Sequence, residues 1–193
     1  RRPKGCATWP ATGRSAWVAL PAGDEEVEPA FEHCARDHLP LVEDEGWSAR
    51  VIAGALLGAR SAVRTHSPLL YAHVELAAGA RFAVPAGAPE RAVFVARGAV
   101  DVGGQACAPA QMLVLGRGAT PTVVAREPST LMLLGGEPVG PRYIWWNFVS
   151  SRRERLEQAK ADWNEGRIPR PVGDGDEWIP APDDPMPAPS ARA

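Results

Sequence analysis

The sequence is short of the residues on which most protein chemistry depends. Its 193 residues include only four histidines and three cysteines, and Cys6, Cys34 and Cys107 are spaced too widely for a CxxC pair or a disulfide framework. The 21 basic and 23 acidic residues nearly cancel, so a net charge of −2 gives no electrostatic reason to bind nucleic acid or an anionic membrane. No apolar run approaches the roughly 18 residues of a membrane span, and no secretory signal follows the basic start. We therefore expect a cytoplasmic protein with reduced thiols.

Glycine and proline are abundant instead, with 19 and 20 residues, and they separate short apolar segments. Alternation of apolar and polar residues predicts a half-buried strand at 70–76, and the continuous apolar run at 92–96 predicts a strand buried on both faces. Gly103-Gly104 predicts a hairpin, and 54–66 is predicted to be a loop. The other predicted strands are 15–20, one near Leu41, 50–53, 100–102, 112–115, 122–125 and 130–134. Short strands at this spacing, with no helix fitting between 67 and 135, indicate a β-barrel or sandwich.

One helix is predicted after residue 150. Ser151 and Glu154 have the spacing of a capping box, and Leu156, Ala159 and Trp163 share one face. Three arginines, Arg152, Arg153 and Arg155, lie in its first turns, where the helix dipole disfavours cations. They form either an exposed basic face or a patch that docks an anion or a partner.

Two glycine-bounded segments have the spacing of a metal site without its ligands. Gly79, Pro85, Gly87, Arg91 and Gly98 fall on G-x5-H-x-H-x3-E-x6-G, the first motif of a cupin barrel. The second motif, G-x5-P-x-G-x2-H-x3-N, falls on Gly103, Pro109, Gln111, Val114 and Gly118. Pro85, Gly87, Arg91 and Val114 therefore occupy the ligand positions, and none of their side chains can replace imidazole or carboxylate. We predict an all-β cupin (jelly-roll) β-barrel with one C-terminal α-helix and extended flanking segments, without a metal, cofactor or catalytic residue of its own.

Other candidate sites are weaker. Two groups of potential metal ligands remain, His33, Cys34, Asp37 and His38 in one stretch and His73 with Glu75 on one strand. The first resembles no zinc knuckle and the second supplies too few ligands, so both are interpreted as surface residues. There is no G-x-S-x-G nucleophile motif. Trp145 and Trp146, with Tyr143 and Phe148, could stack a flat ligand or anchor a core or interface.

The chain resembles the pirin family, whose members are bicupins with two barrels in tandem. The strongest likeness is in Gly135-Gly-Glu-Pro138, Pro141-Arg-Tyr and Trp145-Trp-Asn-Phe-Val-Ser-Ser151, followed by the helix through Trp163. Trp17-Val-Ala-Leu-Pro21 resembles the strand that opens the second half of a pirin, and Glu177-Trp-Ile-Pro180 resembles its closing segment. The likeness spans about residues 15–180 and implies that this chain is the C-terminal half only.

The resemblance divides the chain into five parts. Residues 1–14 are a divergent or non-native segment, 15–66 are inter-domain strands and loops of pirin type, and 67–138 are the metal-free C-terminal cupin barrel. Residues 139–180 hold the Trp-rich segment, the helix and the closing segment, and 181–193 form a disordered Pro-rich tail. Because the first residue is Arg and not Met, we expect a truncated product or a fragment.

The resemblance also implies a function. In pirins an iron-type metal sits in the N-terminal barrel on three histidines and a glutamate, so iron is expected only in that barrel, which this chain lacks. This chain would then be a structural and partner-docking half without catalysis by itself. Its implied partners are its own N-terminal cupin domain and a transcription-related protein, and exposed surface could make a homodimer.

Two alternatives stay open. Some pirins open the flavonol ring of quercetin, so the chain could be a fragment of a quercetin 2,3-dioxygenase whose metal site lies in the N-terminal barrel. It could also be a small-molecule binding module whose barrel lumen is lined by Val93, Phe94, Val95 and Met112.

Overall fold

The computed structural model describes residues 16–169 and 179–185, and almost all regular structure in them is β. The predicted segment 1–14, the closing residues 173–178 and the tail residues 186–193 lie outside the described residues. Short 3-10 helices cover Ala22–Asp24 and Arg36–His38. The strands are β1 Leu41–Asp44, β2 Trp47–Leu56, β3 Ala59–Arg60, β4 Leu69–Leu76, β5 Arg81–Ala83, β6 Glu90–Arg97, β7 Val100–Val102, β8 Gln105–Cys107, β9 Met112–Leu115, β10 Thr122–Ala125, β11 Ser129–Gly136, β12 Tyr143–Trp145 and β13 Phe148–Ser150, and helix α1 is Arg153–Asn164.

The strands form two antiparallel sheets that face each other, with a small hairpin beside them. The larger sheet has the order β1-β2-β4-β11-β6-β9, with β3 beside β2, and the smaller sheet has the order β5-β10-β7-β8. One apolar core joins them, because Val74 and Leu133 of the large sheet belong to the same buried cluster as Phe82 and Val123 of the small sheet. This confirms the predicted all-β architecture with a C-terminal helix.

Most predicted strands are confirmed, and three predictions are wrong. The segments near Leu41 and at 70–76, 100–102, 112–115, 122–125 and 130–134 are strands, and Gly103-Gly104 joins β7 to β8. Residues 16–20 form no strand, although Trp17 and Val18 have high β propensity. The segment 50–53 is part of a longer strand that continues through Gly54 to Leu56, and β3 lies inside the predicted loop 54–66.

The third wrong prediction concerns β6, which is not buried on both faces. Val93 and Val95 are 2% and 1% exposed, whereas Ala92, Phe94 and Ala96 are half-buried. An antiparallel sheet packs one face on the core and leaves the other open, so a continuous apolar run can still alternate in burial.

Helix α1 begins differently from the prediction but packs as expected. Arg152 occupies the N-cap position without a side-chain capping bond, and the Ser151 hydroxyl donates to Glu25 instead, at 3.1 Å. Leu156 and Ala159 are buried on the helix face that contacts β12 and β13. Within the described ranges, no helix combines the length and apolar character needed to cross a bilayer.

Two glycines near the β2–β3 turn allow a matched test of this packing. Gly54 (φ +77°) and Gly58 (φ +87°) both adopt left-handed backbone conformations. A Cβ on Gly54 would lie 1.7 Å from the carbonyl oxygen of Leu69, whereas a Cβ on Gly58 meets nothing within 4 Å. Gly58→Ala should therefore cost only the backbone strain, about 1–2 kcal/mol, and Gly54→Ala should cost more than about 4 kcal/mol because β2 must separate from β4. Urea unfolding measures both, and equal losses would contradict the close approach.

Candidate functional site

The position that holds the carboxylate in the first cupin motif is occupied by a buried arginine. Arg91 lies on the inward face of β6 and is 3% exposed. Its Nη1 donates to the carbonyl oxygen of Pro85 at 2.7 Å, and its Nη2 donates to that of Gly116 at 3.4 Å. The motif spacing was therefore right in bringing positions 85 and 91 together. The guanidinium joins the turn before β6 to the turn after β9.

These residues do not fit a metal ion. Pro85 has no side-chain donor and its carbonyl already accepts from Arg91, Gly87 has no side chain, and Arg91 places a cation where the metal would be. In residues 16–169 and 179–185, no three or more His, Cys, Asp or Glu side chains are placed to hold a metal. We derive no chemical step through a metal in this barrel, and the predicted lack of metal binding stays a prediction.

The sequence analysis placed the ligand position of the second cupin motif one residue away from the residue that faces the interior. Val114 is 75% exposed and pairs with Ala92 on the outer face of the sheet. Leu115, which is directly opposite Arg91 and 9% exposed, is the residue that faces the interior. Successive residues of a strand point to opposite faces, so a shift of one position exchanges inside and outside.

The predicted lumen lining is wrong for two of its four residues. Val93 and Val95 point into the core, where both are buried in the main cluster. Phe94 and Met112 pair with each other on the outer face of β6 and β9, and Met112 is 55% exposed. The interior at this level is therefore filled by aliphatic side chains, as is common in small barrels.

The His33 group lies at the surface. His33, Asp37 and His38 are exposed, and Cys34 is partly buried with its thiol 3.8 Å from the carbonyl oxygen of Ala35. Cys34 is a free thiol in this structure. The group surrounds a single 3-10 turn and faces no other ligand cluster in the described ranges.

His73 and Glu75 lie on the outer face of β4, in a shallow pocket of 160 Å³ that sequence reasoning missed. Burial lowers the pKa of His73, and the nearby charges of Arg36 and Arg50 lower it further, against the opposing effect of Glu75. Arg50 is fixed there because its guanidinium donates to the carbonyl oxygen of Arg36 at 3.1 Å. The positive charges of Arg36 and Arg50 near His73 disfavour a bound cation.

The aromatic cluster fastens the β12–β13 hairpin to the helix. Trp146 contacts Trp163 of α1 edge-on at 5.0 Å between ring centroids, and Trp145 stacks with Phe148 at 6.3 Å. The Trp145 indole is 4% exposed, and its Nε1 donates to the carbonyl oxygen of Asp184. These rings contact each other, which favours the anchoring interpretation over stacking on a flat ligand.

A buried carboxylate joins the early part of the described chain to the β12–β13 hairpin and the residues beside it. The side chains of Glu25 and Arg142 are 8% and 7% exposed, with Oε1 and Nε 3.1 Å apart. Burial alone would raise the pKa of Glu25. Hydrogen bonds from the Ser150 hydroxyl (2.7 Å) and from the Ser151 amide and hydroxyl, together with the charge of Arg142, outweigh burial and lower this pKa below its ordinary value. We name this set of contacts the Glu25 clasp. The sequence analysis identified the acidic loop that holds Glu25 and the segment that holds Ser150 and Ser151. No signal in the sequence indicated that these two segments pair.

The arginines at the start of α1 are exposed, as the first of the two alternatives predicted, and they are paired within the chain. Glu26, next to the clasp, accepts from Arg152 at 2.7 Å and from Arg155 at 3.0 Å, and Arg153 pairs with Glu157 at 3.1 Å. All of these side chains are more than a third exposed, so each pair contributes only about 0–1 kcal/mol. Their charges are therefore largely balanced by Glu26 and Glu157.

A large groove opens beside the clasp. It has a volume of 940 Å³ and lies between residues 16–20 and the ends of β4 and β11. Its rim carries Trp17, Val18 and Phe31, which are 62%, 61% and 92% exposed, and its floor includes Tyr71 and Leu134. We name it the apolar groove.

Comparison with known proteins identifies the family. Residues 71–169 match the family model described as the pirin C-terminal cupin domain. The chain belongs to the pirin family. Over 172 residues it is 52% identical to a pirin-like protein of Caulobacter vibrioides, covering 89% of this chain and 60% of that protein, and it is 30% identical to human pirin over 84% and 59% of the respective chains.

Solved structures agree with this pirin-family assignment. A crystal structure of quercetin 2,3-dioxygenase from Acinetobacter baumannii superimposes with a TM-score of 0.80 at 28% identity, over 88% of this chain and 57% of that one. The predicted cupin fold is therefore confirmed. This pirin-family chain spans about half to three fifths of the length of the curated relatives reported above and of this structure.

The Glu25 clasp makes a pH-dependent prediction. The folded-state pKa of Glu25 lies below its ordinary value of 4.5. Ionised Glu25 therefore stabilises the fold above pH 4.5, and this stabilisation is lost as the pH falls through the folded-state pKa. Glu25→Gln should lower the free energy of unfolding by about 3 kcal/mol at neutral pH, and the loss should shrink in acid, where the wild-type carboxyl is also neutral.

Urea unfolding at neutral and acidic pH, with hydrogen exchange of the Ser151 amide as a local measure, tests this prediction. Glu26→Gln is the matched control, because its exposed pairs should change stability by only about 0–1 kcal/mol. Equal losses from the two variants, or a Glu25→Gln loss that does not vary with pH, would contradict the clasp.

Proposed function

We propose that this chain is the metal-free half of a pirin-type bicupin, with a structural and partner-docking role and no catalysis by itself. The observation that supports this role best is the apolar groove, whose rim leaves Phe31 92% exposed beside Trp17 and Val18. Contiguous exposed apolar surface of this kind marks interaction sites in soluble proteins, whereas single exposed apolar side chains do not.

The proposed occupant of the groove is a first cupin barrel of the same family, in the same polypeptide or in another. The Caulobacter relative and the Acinetobacter enzyme are each longer than the part that this chain matches, by two fifths or more of their length. The aromatic rim suits such an interface, since aromatic anchors carry much of the binding energy of protein interfaces. Iron would then belong to the partner barrel, because positions 85, 87, 91 and 115 of this chain present no ligand.

As a second candidate function, this chain would be part of a protein that opens the flavonol ring. The Acinetobacter structure with a TM-score of 0.80 carries the name quercetin 2,3-dioxygenase. In this proposal the partner barrel performs the chemistry, and this chain shapes and shields the joint active site. A transcription-related partner, a homodimer through exposed surface and a cytoplasmic location remain further predictions.

Co-expression tests the docking role. The full chain is produced together with a tagged N-terminal cupin domain of the Caulobacter pirin-like protein. We expect the two to co-purify with iron in the complex, and we expect no stoichiometric iron in this chain alone. Phe31→Asp should weaken the complex at least about tenfold, because it places a charge on an aromatic anchor. Gln105→Glu, exposed on β8 in the other sheet, is the charge-adding control and should not weaken it.

The same preparations separate the alternatives. Quercetin consumption by the complex and not by either half would support the second candidate. Stoichiometric iron in the isolated chain, or an assembly that tolerates Phe31→Asp as well as Gln105→Glu, would contradict the proposed role.

A further inference from the structure

Residues 179–185 lie against the aromatic cluster of the β12–β13 hairpin and α1. Two indole N–H groups hold them there, because Trp163 Nε1 donates to the carbonyl oxygen of Ile179 at 2.8 Å and Trp145 Nε1 donates to that of Asp184 at 3.1 Å. The sequence of this stretch is Ile-Pro-Ala-Pro-Asp-Asp-Pro, and we name it the proline segment. It is therefore anchored through its backbone carbonyls.

The proline segment has the features of a polyproline II chain. It forms neither helix nor strand, and none of the backbone–backbone hydrogen bonds among the described residues involves it. Ile179 and Asp184, whose carbonyls accept the two indole bonds, each precede a proline, which restricts both to β or polyproline II geometry. Pro182 and Pro185 have the P-x-x-P spacing, which places them on one edge of a helix with three residues per turn and no internal hydrogen bonds.

The surface under the proline segment is a continuous row of rings. Trp146 contacts both donors, with its ring centroid 6.3 Å from that of Trp145 and 5.0 Å from that of Trp163, and Phe148 is 5.8 Å from Trp146. We name these four rings the aromatic cradle. The two anchored carbonyls are five residues apart, about 15 Å in a polyproline II chain. A row of three indole rings can provide donors at that separation.

The contacts of the proline segment are few and not particular to its side chains. Ile179 is 65% exposed, and Ala181 and Pro182 are half-buried. Among the described residues, the hydrogen bonds of the segment are the two that the indoles donate to its backbone. Another chain with prolines at these positions could accept the same bonds and cover the same rings.

Charge at one end of the aromatic cradle suits an acidic segment. The ammonium nitrogen of Lys160 lies over the Trp145 ring, 4.8 Å from its centroid, and this indole is the one that holds Asp184. Asp183 is next to it in the sequence. Neither aspartate forms an ion pair within the described ranges, so the charge favours acidic residues without fixing their side chains.

We propose that the aromatic cradle docks a proline-rich, acidic segment of a partner protein and that the proline segment is its internal ligand. Aromatic-lined surfaces bind P-x-x-P segments because a polyproline II chain is ordered before it binds. The tether gives the internal ligand a high effective concentration, so a partner segment must displace it. The cradle shares no residue with the walls of the apolar groove. This inference therefore adds a second surface to the docking role and does not depend on a first cupin barrel.

A labelled peptide, Ile-Pro-Ala-Pro-Asp-Asp-Pro, is the probe, and fluorescence anisotropy measures its binding to the full chain. Pro182→Gly with Pro185→Gly should weaken the internal ligand, because glycine removes the restriction on φ that orders the segment. We expect this double variant to bind the peptide at least about tenfold more tightly than the wild type. A peptide with glycine in place of each proline should bind at least about tenfold more weakly. Equal affinities of the two chains, or of the two peptides, would overturn the proposal.

An indole donor is tested in the background of the double variant. Trp163→Phe keeps an aromatic ring and removes the N–H, so it should weaken the peptide about fivefold, the equivalent of one hydrogen bond. The matched control is Trp47→Phe, the same change in β2 against Phe82, which should leave the affinity unchanged. Equal affinities of these two variants would overturn the cradle. A wild-type dimer that the peptide dissociates would assign the cradle to a second copy and overturn the partner protein.

Discussion

The guanidinium of Arg91 is the constraint on which the interpretation of this chain depends. It donates to the carbonyl oxygens of Pro85 and Gly116, and so it connects the turn before β6 to the turn after β9. A fixed positive charge in a nearly closed interior repels a divalent cation strongly, because the local dielectric is low. The barrel thus keeps the spacing of the first cupin motif and places a fixed positive charge at its carboxylate position. This charge supports the prediction that the barrel holds no metal.

A second constraint, the Glu25 clasp, decides how the early part of the chain lies on the barrel. Glu25 and Ser150 are 125 positions apart in sequence, yet their side chains meet at 2.7 Å in a nearly dry site. Because burying these groups is costly unless they are paired, the contacts of Glu25 favour one arrangement of residues 16–26. That arrangement forms one wall of the apolar groove and leaves Trp17 and Val18 on its rim.

Local sequence patterns predicted much of this fold, but they could not predict contacts between residues that are far apart in the sequence. Glycine turns and two-residue alternation identified β4, β7, β9, β10 and β11, because these signals are contained within a few residues. The first cupin motif correctly brought Pro85 and Arg91 together. The assignment of Val114 to the interior ligand position was wrong, since a shift of one residue reverses the face of a strand. The strand predicted at 15–20 was wrong for residues 16–20, because β propensity forms no strand without a neighbouring strand to pair with. The clasp could not be inferred, since an acidic loop, an arginine just before β12 and two serines after it are each ordinary surface features.

The apolar groove has a neighbour at the end of strand β11. A second depression, on the outer face of β6, β9 and β11, shares Leu134, Gly135 and Gly136 with the groove. Two of these residues have no side chain, so mainly backbone separates the two surfaces. Gly135 pairs with Arg91, whose guanidinium lies on the inward face. The backbone that forms one wall of the groove therefore also pairs with the strand that carries the fixed charge of the cupin motif.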